Sequence, residues 1–442
     1  MQTQELSSQR YGRKLRSDFL FAKDFTNMNH GSFGTYPLTV RDTFRSFQDQ
    51  VEARPDPFIF YDYPVLLDEA RAEVAKLLNA PVGEVVFVPN ATTGINTILR
   101  NLVFQPGDVI IYFATTYGAC QKSVTYITET TPAEDFKIQY TYPVSDTFLV
   151  DSLQDAISEI RNQGKNPRLA LFDTVVSMPG VRMPYERFLA VCKREGILSC
   201  MDAAHAIGML KPKDVDMSIL QPDFFVSNCH KWLYVPRGCA VLYVPTKHHS
   251  MMRSTIPTSH GFIPTPRPGA AAAYNPLPTN NKSPFVVNFE FVGTIDNAPY
   301  LCVPRAIQYR KERLGGEEAV ADYLWTLARR SGQIVCKILG TEVLENEDNT
   351  LQNCAFSNVR LPLDAAAIQS MAETHWMLRT LFYQHNTSMV VLWYAGVFWT
   401  RLSAQVYLEE ADFERGGHLL LELCGRVTNG DFLPACQVQS KL

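Results

Sequence analysis

The chain has 442 residues, 46% of them hydrophobic and 19% charged, and a formal net charge of −4. Such a composition excludes a disordered chain and is long enough for two or three domains. The small, mixed-sign charge excludes a basic surface built for nucleic acid or an anionic membrane.

No window reaches the roughly 18 consecutive apolar residues that a bilayer span needs. The first 21 residues lack the apolar core of a secretory leader, so a cytoplasmic protein is expected. The chain ends in Ser440-Lys441-Leu442, which matches the peroxisomal address and makes peroxisomal import the alternative. Ten cysteines without a Cys-x-x-Cys pair indicate neither a disulfide framework nor a zinc site, and fit reduced thiols.

Residues 1–40 read as an irregular arm ending in the turn-rich Asn29-His30-Gly31-Ser32-Phe33-Gly34. Apolar spacing predicts a helix over 68–78, a strand over 85–88 and a helix from Thr93. Further strands are predicted at 109–113, 169–172, 198–201, 224–226 and 240–244, with a helix over 185–195. Near-continuous apolar strands separated by helices predict an α/β fold whose mainly parallel sheet is covered on both faces. Residues 255–284, rich in Pro, Gly, Ala and Asn, read as a long loop. A helix is predicted from about Val303, and the remainder reads as a smaller domain. The expected division is an arm over 1–40, a large domain over 41–302 and a small domain over 303–442.

Lys231 follows the strand at 224–226, in Ser227-Asn228-Cys229-His230-Lys231-Trp232. A lone lysine beside a turn is ordinarily a surface residue. A lysine at a strand end among polar and aromatic groups can instead lose its proton and form an imine. Asp202 follows the strand at 198–201, where a carboxylate can face a pyridinium nitrogen; otherwise it is a helix cap. His205 can stack on or hydrogen-bond such a ring. After the strand at 85–88, Asn90-Ala91-Thr92-Thr93-Gly94 opens a helix, whose first-turn amides suit a phosphate. Phosphate turn, acid and lysine, each after a separate strand, together suit pyridoxal 5′-phosphate, because ligands bind at strand carboxyl ends in such sheets.

Asp202-Ala203-Ala204-His205 and the run from Ser227 to Lys231 resemble the class V aminotransferase family, which includes cysteine desulfurases, kynureninases and isopenicillin N epimerase-like enzymes. Asn29-His30-Gly31-Ser32-Phe33-Gly34, Tyr117-Gly118-Ala119-Cys120 and Ser177-Met178-Pro179-Gly180-Val181-Arg182 bring it closer to that family's hercynylcysteine sulfoxide lyase group. So do Pro257-Thr258-Ser259-His260-Gly261-Phe262, Asn288-Phe289-Glu290-Phe291-Val292-Gly293-Thr294 and Leu402-Ser403-Ala404-Gln405-Val406-Tyr407.

The resemblance implies fold-type I architecture, with a mixed, mainly parallel seven-stranded sheet, a smaller C-terminal α+β domain, and a homodimer. It implies Lys231 as the imine lysine and proton shuttle, Asp202 against the pyridine nitrogen, and His205 near the ring hydroxyl. Thr92, Thr93, Ser227 and His230 would hold the phosphate, with Thr294 supplied by a second subunit. Arg401 would clamp the α-carboxylate of an amino-acid substrate, with Asn29 and His30 beside it. Tyr117 would lie over the ring, and Cys120 would take part in elimination. No metal is implied. The expected activity is C–S β-lysis of a cysteine conjugate or its sulfoxide, as in ergothioneine synthesis. The alternative is a secondary-metabolic enzyme that uses the same α-carbanion for C–C bond formation, cyclisation or epimerisation. The uncharged stretch 393–399 would give an apolar far end to the substrate pocket.

Overall fold

The computed structural model describes residues 10–259, 262, 264–265, 267–269, 281–364 and 371–432. The C-terminal tripeptide and His260-Gly261 lie outside the described residues. Seven strands form the central sheet: β1 (Val85–Val88), β2 (Asp108–Phe113), β3 (Glu134–Ile138), β4 (Asn166–Asp173), β5 (Leu198–Asp202), β6 (Phe224–Asn228) and β7 (Ala240–Tyr243). Their order is β1-β7-β6-β5-β4-β2-β3, with β7 antiparallel to both neighbours and the other pairs parallel.

The predicted strands are therefore present, and their apolar runs have a physical reason. Ile110, Leu171 and Val226 face one apolar cluster, whereas Ile111, Phe172 and Phe225 face another. Alternate residues of each strand thus enter opposite cores, so neither face can be polar. β3 was not predicted. It lies at one edge of the sheet and is half-exposed, unlike buried β1 at the other edge, and Glu134, Asp135 and Lys137 leave it without an apolar run.

Helices α1 (Leu38–Ala53), α2 (Tyr63–Leu77), α3 (Ala91–Asn101), α4 (Gly118–Thr130), α5 (Asp146–Asn162) and α6 (Tyr185–Glu195) accompany the sheet. α6 buries Tyr185, Phe188, Leu189 and Cys192 on one face and stops at Gly196, whose φ of 68° is the left-handed cap that follows Lys193 and Arg194. α3 starts two residues before the prediction. The Asn90 side chain accepts from Thr93 N at 2.8 Å and caps it there.

Beyond α7 (Val303–Glu312) and α8 (Glu317–Leu339), strands β8 (Phe356–Arg360), β9 (Val390–Tyr394) and β10 (Val397–Ser403) form an antiparallel sheet with β10 in the centre. The N-terminal arm is anchored to this part of the chain rather than loose. Thr26–Asn27 pairs with Thr387–Ser388, Gly12 N donates to Val406 O at 2.8 Å, and Arg13 pairs with Asp412 at 2.9 Å. This anchoring delivers Asn29 and His30 to the carboxyl ends of the central strands.

Candidate active site

Three neighbouring strands end at the same edge: β4 in Asp173, β5 in Asp202 and β6 in Ser227-Asn228. A one-turn helix, Cys229–Trp232, follows β6 and carries Lys231. Gly34 lets the arm approach it closely: a Cβ there would sit 1.9 Å from His230 O, and φ is 64°.

Lys231 Nζ lies 3.2 Å from His205 Nε2, and the Trp232 indole donates to His205 Nδ1 at 3.2 Å. An indole N–H only donates, so Nδ1 must be the acceptor. Burial and the nearby Lys231 hold His205 well below the usual imidazole range, hence neutral, with its one proton on Nε2. That N–H faces the lysine amine, which must offer a lone pair. Burial lowers Lys231 from 10.5 to about 8, in the direction the contact requires.

Asp202 is buried and keeps its carboxylate unpaired with any arginine. Cys120 Sγ donates to its Oδ2 at 3.2 Å and Ala204 N to its Oδ1 at 3.0 Å. Burial raises the Cys120 thiol far above its ordinary range, with Asp202 adding to the shift, so the sulfur stays a donor. The two residues expected to act on a leaving group therefore differ: Cys120 is buried against Asp202, whereas Tyr117 is half-exposed at the start of α4.

Arg401, on β10, is the third element. Its guanidinium donates to Ser177 O, to Asn29 Oδ1 at 3.0 Å and to Ser32 Oγ at 3.1 Å, lies over the Phe356 ring, and leaves Nε without a partner. Gly180 permits this, since a Cβ would come 2.7 Å from Arg401 Cδ. Among the described residues three arginines are buried. Arg71 pairs with Asp68 at 2.8 Å and Arg310 with Glu317 at 2.6 Å, but no carboxylate pairs with Arg401. A buried cation without a counter-ion is strongly unfavourable unless an anion completes it. Burial also lowers Arg401 to about 10.

The remaining expected residues are placed less directly. His30 is buried, with Nε2 2.6 Å from Lys231 O and Nδ1 3.0 Å from Tyr407 Oη, so the ring bridges the Lys231 turn and Tyr407. Burial lowers it to about 3. Ser227 Oγ donates to Ala203 O at 2.5 Å and accepts from Ile207 N. His230 Nδ1 lies 2.9 Å from Cys239 O and so carries a proton, and burial lowers the ring to about 4. Thr92 and Thr93 lie in the first turn of α3 and line a cavity of about 320 Å³ with Asn96, Arg100, Val292 and Ile295. Thr294 is exposed between those last two residues. Asp173, Trp232, Ser32 and Phe356 were not singled out from the sequence.

A buried strand-end lysine whose proton is more easily lost than usual, a buried carboxylate free of cationic hydrogen-bond partners, and hydroxyls at a helix start fit the aldehyde, ring nitrogen and phosphate of pyridoxal 5′-phosphate. Fold and site together define a fold-type I pyridoxal phosphate enzyme.

Comparison with known proteins narrows this class. Residues 64–278 match the family model for aminotransferase class-V. The L-cysteine desulfhydrase-like protein lolT1 of Epichloe uncinata is 38% identical over 443 residues, covering 95% of this chain and 97% of that one. The hercynylcysteine sulfoxide lyase of Schizosaccharomyces pombe is 29% identical over 414 residues, covering 94% and 98%. A solved complex of the cystine C–S lyase C-DES with its product cysteine persulfide superposes with a TM-score of 0.72 at 17% identity, covering 91% and 98%. The chain belongs to the class V aminotransferase family. Among the described residues no helix is long and apolar enough to cross a membrane.

Proposed function

We propose that this enzyme is a C–S β-lyase that cleaves the Cβ–S bond of a cysteine conjugate or its sulfoxide. The observation that carries the amino-acid part of this reading is Arg401, a buried guanidinium with an unpartnered Nε and no carboxylate of its own. The lyase part rests on relatives named as cysteine desulfhydrase-like and sulfoxide lyase.

In this reading Arg401 binds the substrate α-carboxylate through a fork geometry that a carboxylate matches. Asn29 and Ser32 hold that fork in place. Pyridoxal phosphate, when bound, supplies an electron sink for the pair left at Cα. Lys231 would hold the cofactor and, once free, would take the Cα proton at Nζ; the His205 N–H, oriented by Trp232, faces that amine and favours the lone pair that a general base needs. Asp202 keeps a negative charge against the ring nitrogen. Thr92 and Thr93 would serve the phosphate, and Tyr117 would lie over the ring. The Cβ–S electron pair would leave with sulfur as a thiol, or as a sulfenic acid from a sulfoxide, and with one water the carbon skeleton would end as pyruvate and ammonium. The large domain over 41–302, the small domain over 303–442 and a homodimer that adds Thr294 belong to the same proposal.

A second reading, C–C bond formation or cyclisation on an apolar amino acid, is favoured by one feature. The β9–β10 hairpin carries no charge from Trp393 to Trp399, and its Tyr394 Oη accepts from Tyr142 N at 2.7 Å at the edge of the large sheet. Pyruvate release measured across L-cysteine, S-conjugates and their sulfoxides separates the two. Release from at least one of them supports the lyase; release from none sinks it.

A further inference from the structure

Asp173 is a buried acid that no step above uses. β4 and β5 run in parallel register, with Asp173 opposite Asp202, so the two side chains leave the sheet on the same face at the same edge. Both are almost wholly buried. The groups that face Asp173 are Asp202, Lys231, Cys120, Tyr140 and Tyr142, from four different parts of the chain.

Two buried carboxylates side by side repel each other, and burial penalises the charge on each, so ionising both is strongly unfavourable. The hydrogen bonds decide which one keeps the charge. Asp202 receives an S–H and a backbone N–H, donors that favour the ionised form. Asp173 Oδ2 has no partner at all. Burial, and then the neighbouring Asp202, push Asp173 well above the ordinary carboxylate range.

We infer that Asp173 is a positioning residue held as a neutral carboxylic acid, so that the strand-end pair carries one negative charge and Asp202 carries it. The arrangement agrees with the lysine. A neutral Asp173 removes one of the two anions that favour the ammonium form of Lys231, which helps keep the free amine that His205 demands. Nothing in it depends on the sulfur chemistry; it requires only the cofactor.

The same conservative change should therefore have opposite effects at the two neighbours. Asn is nearly isosteric with a neutral Asp, so Asp173→Asn should keep the cofactor through gel filtration and leave its visible band where the wild type has it. Asp202→Asn should shift that band. Infrared spectra of the holoenzyme carrying carboxyl-labelled aspartate should show a protonated-carboxyl stretch at neutral pH, lost in Asp173→Asn. Absence of the stretch in the wild type overturns the inference whether or not either variant folds. So does its survival in Asp173→Asn, or loss of the cofactor from that variant. None of these readouts uses a sulfur substrate, so failure of the lyase reading would not be mistaken for failure here.

Discussion

Arg401→Lys keeps the positive charge but removes the fork. In the structure the guanidinium spans Ser177 O on one side and Asn29 and Ser32 on the other, so its orientation is set before a substrate arrives. A lysine ammonium is a point donor on a flexible stem and cannot hold that orientation. A hydrogen bond to a charged group contributes about 1.5–3 kcal/mol. Losing one arm of a two-armed carboxylate clamp is therefore worth about 2 kcal/mol, roughly a 30-fold rise in Kd. The assay is equilibrium titration of the holoenzyme with L-alanine, which has no sulfur to lose, read from the cofactor absorbance. Ethylamine, which lacks the carboxylate, is the control and should bind wild type and variant alike. An unchanged Kd for L-alanine, with its advantage over ethylamine intact, would place the carboxylate site elsewhere and refute the reasoning.

Three further outcomes follow from the same geometry. Between pH 8 and 10.5 the unfolded chain binds more protons at Lys231 than the folded chain, so stability of the cofactor-free protein should rise with pH across that window. Lys231→Met should flatten the rise in urea unfolding midpoints, and an identical slope would count against a depressed amine. Cys120→Ser retains a donor to Asp202 and should keep the cofactor band, whereas Cys120→Ala leaves Oδ2 without it and should shift the band; equal spectra would mean the thiol does not support Asp202. Trp232→Phe releases His205 from a single tautomer, so ¹⁵N spectra of labelled holoenzyme should change from one Nε2–H form to a mixture; an unchanged pattern would remove Trp232 from that role.

The central strands were legible because burial on both faces requires apolar residues at consecutive positions, as in Leu169-Ala170-Leu171-Phe172. Edge strand β3 was not, because an edge tolerates Glu134 and Lys137. Lys231, Asp202 and His205 converge as their strand-end positions implied, and Arg401 lies at the same edge although 170 residues separate it from Lys231. Asp173 escaped notice because the apolar run before it looked complete without it. Its place at the end of the strand beside that of Asp202 was the available signal. His30 and Ser227 show another limit: their residue types suit ligand binding, but their hydrogen bonds to Lys231 O and Ala203 O appear only in the packed structure. The role of Trp232 depends on the one-turn helix that aims its indole at His205, a geometry with no sequence signature of its own.

The most direct test of the account follows both halves of the substrate at once. Wild-type holoenzyme is given an S-substituted cysteine and its sulfoxide, and pyruvate and the released sulfur product are quantified together, with Lys231→Ala alongside. The account predicts equal amounts of pyruvate and sulfur product from the wild type and none from the variant. A product that keeps carbon and sulfur joined, or full turnover by Lys231→Ala, would contradict it.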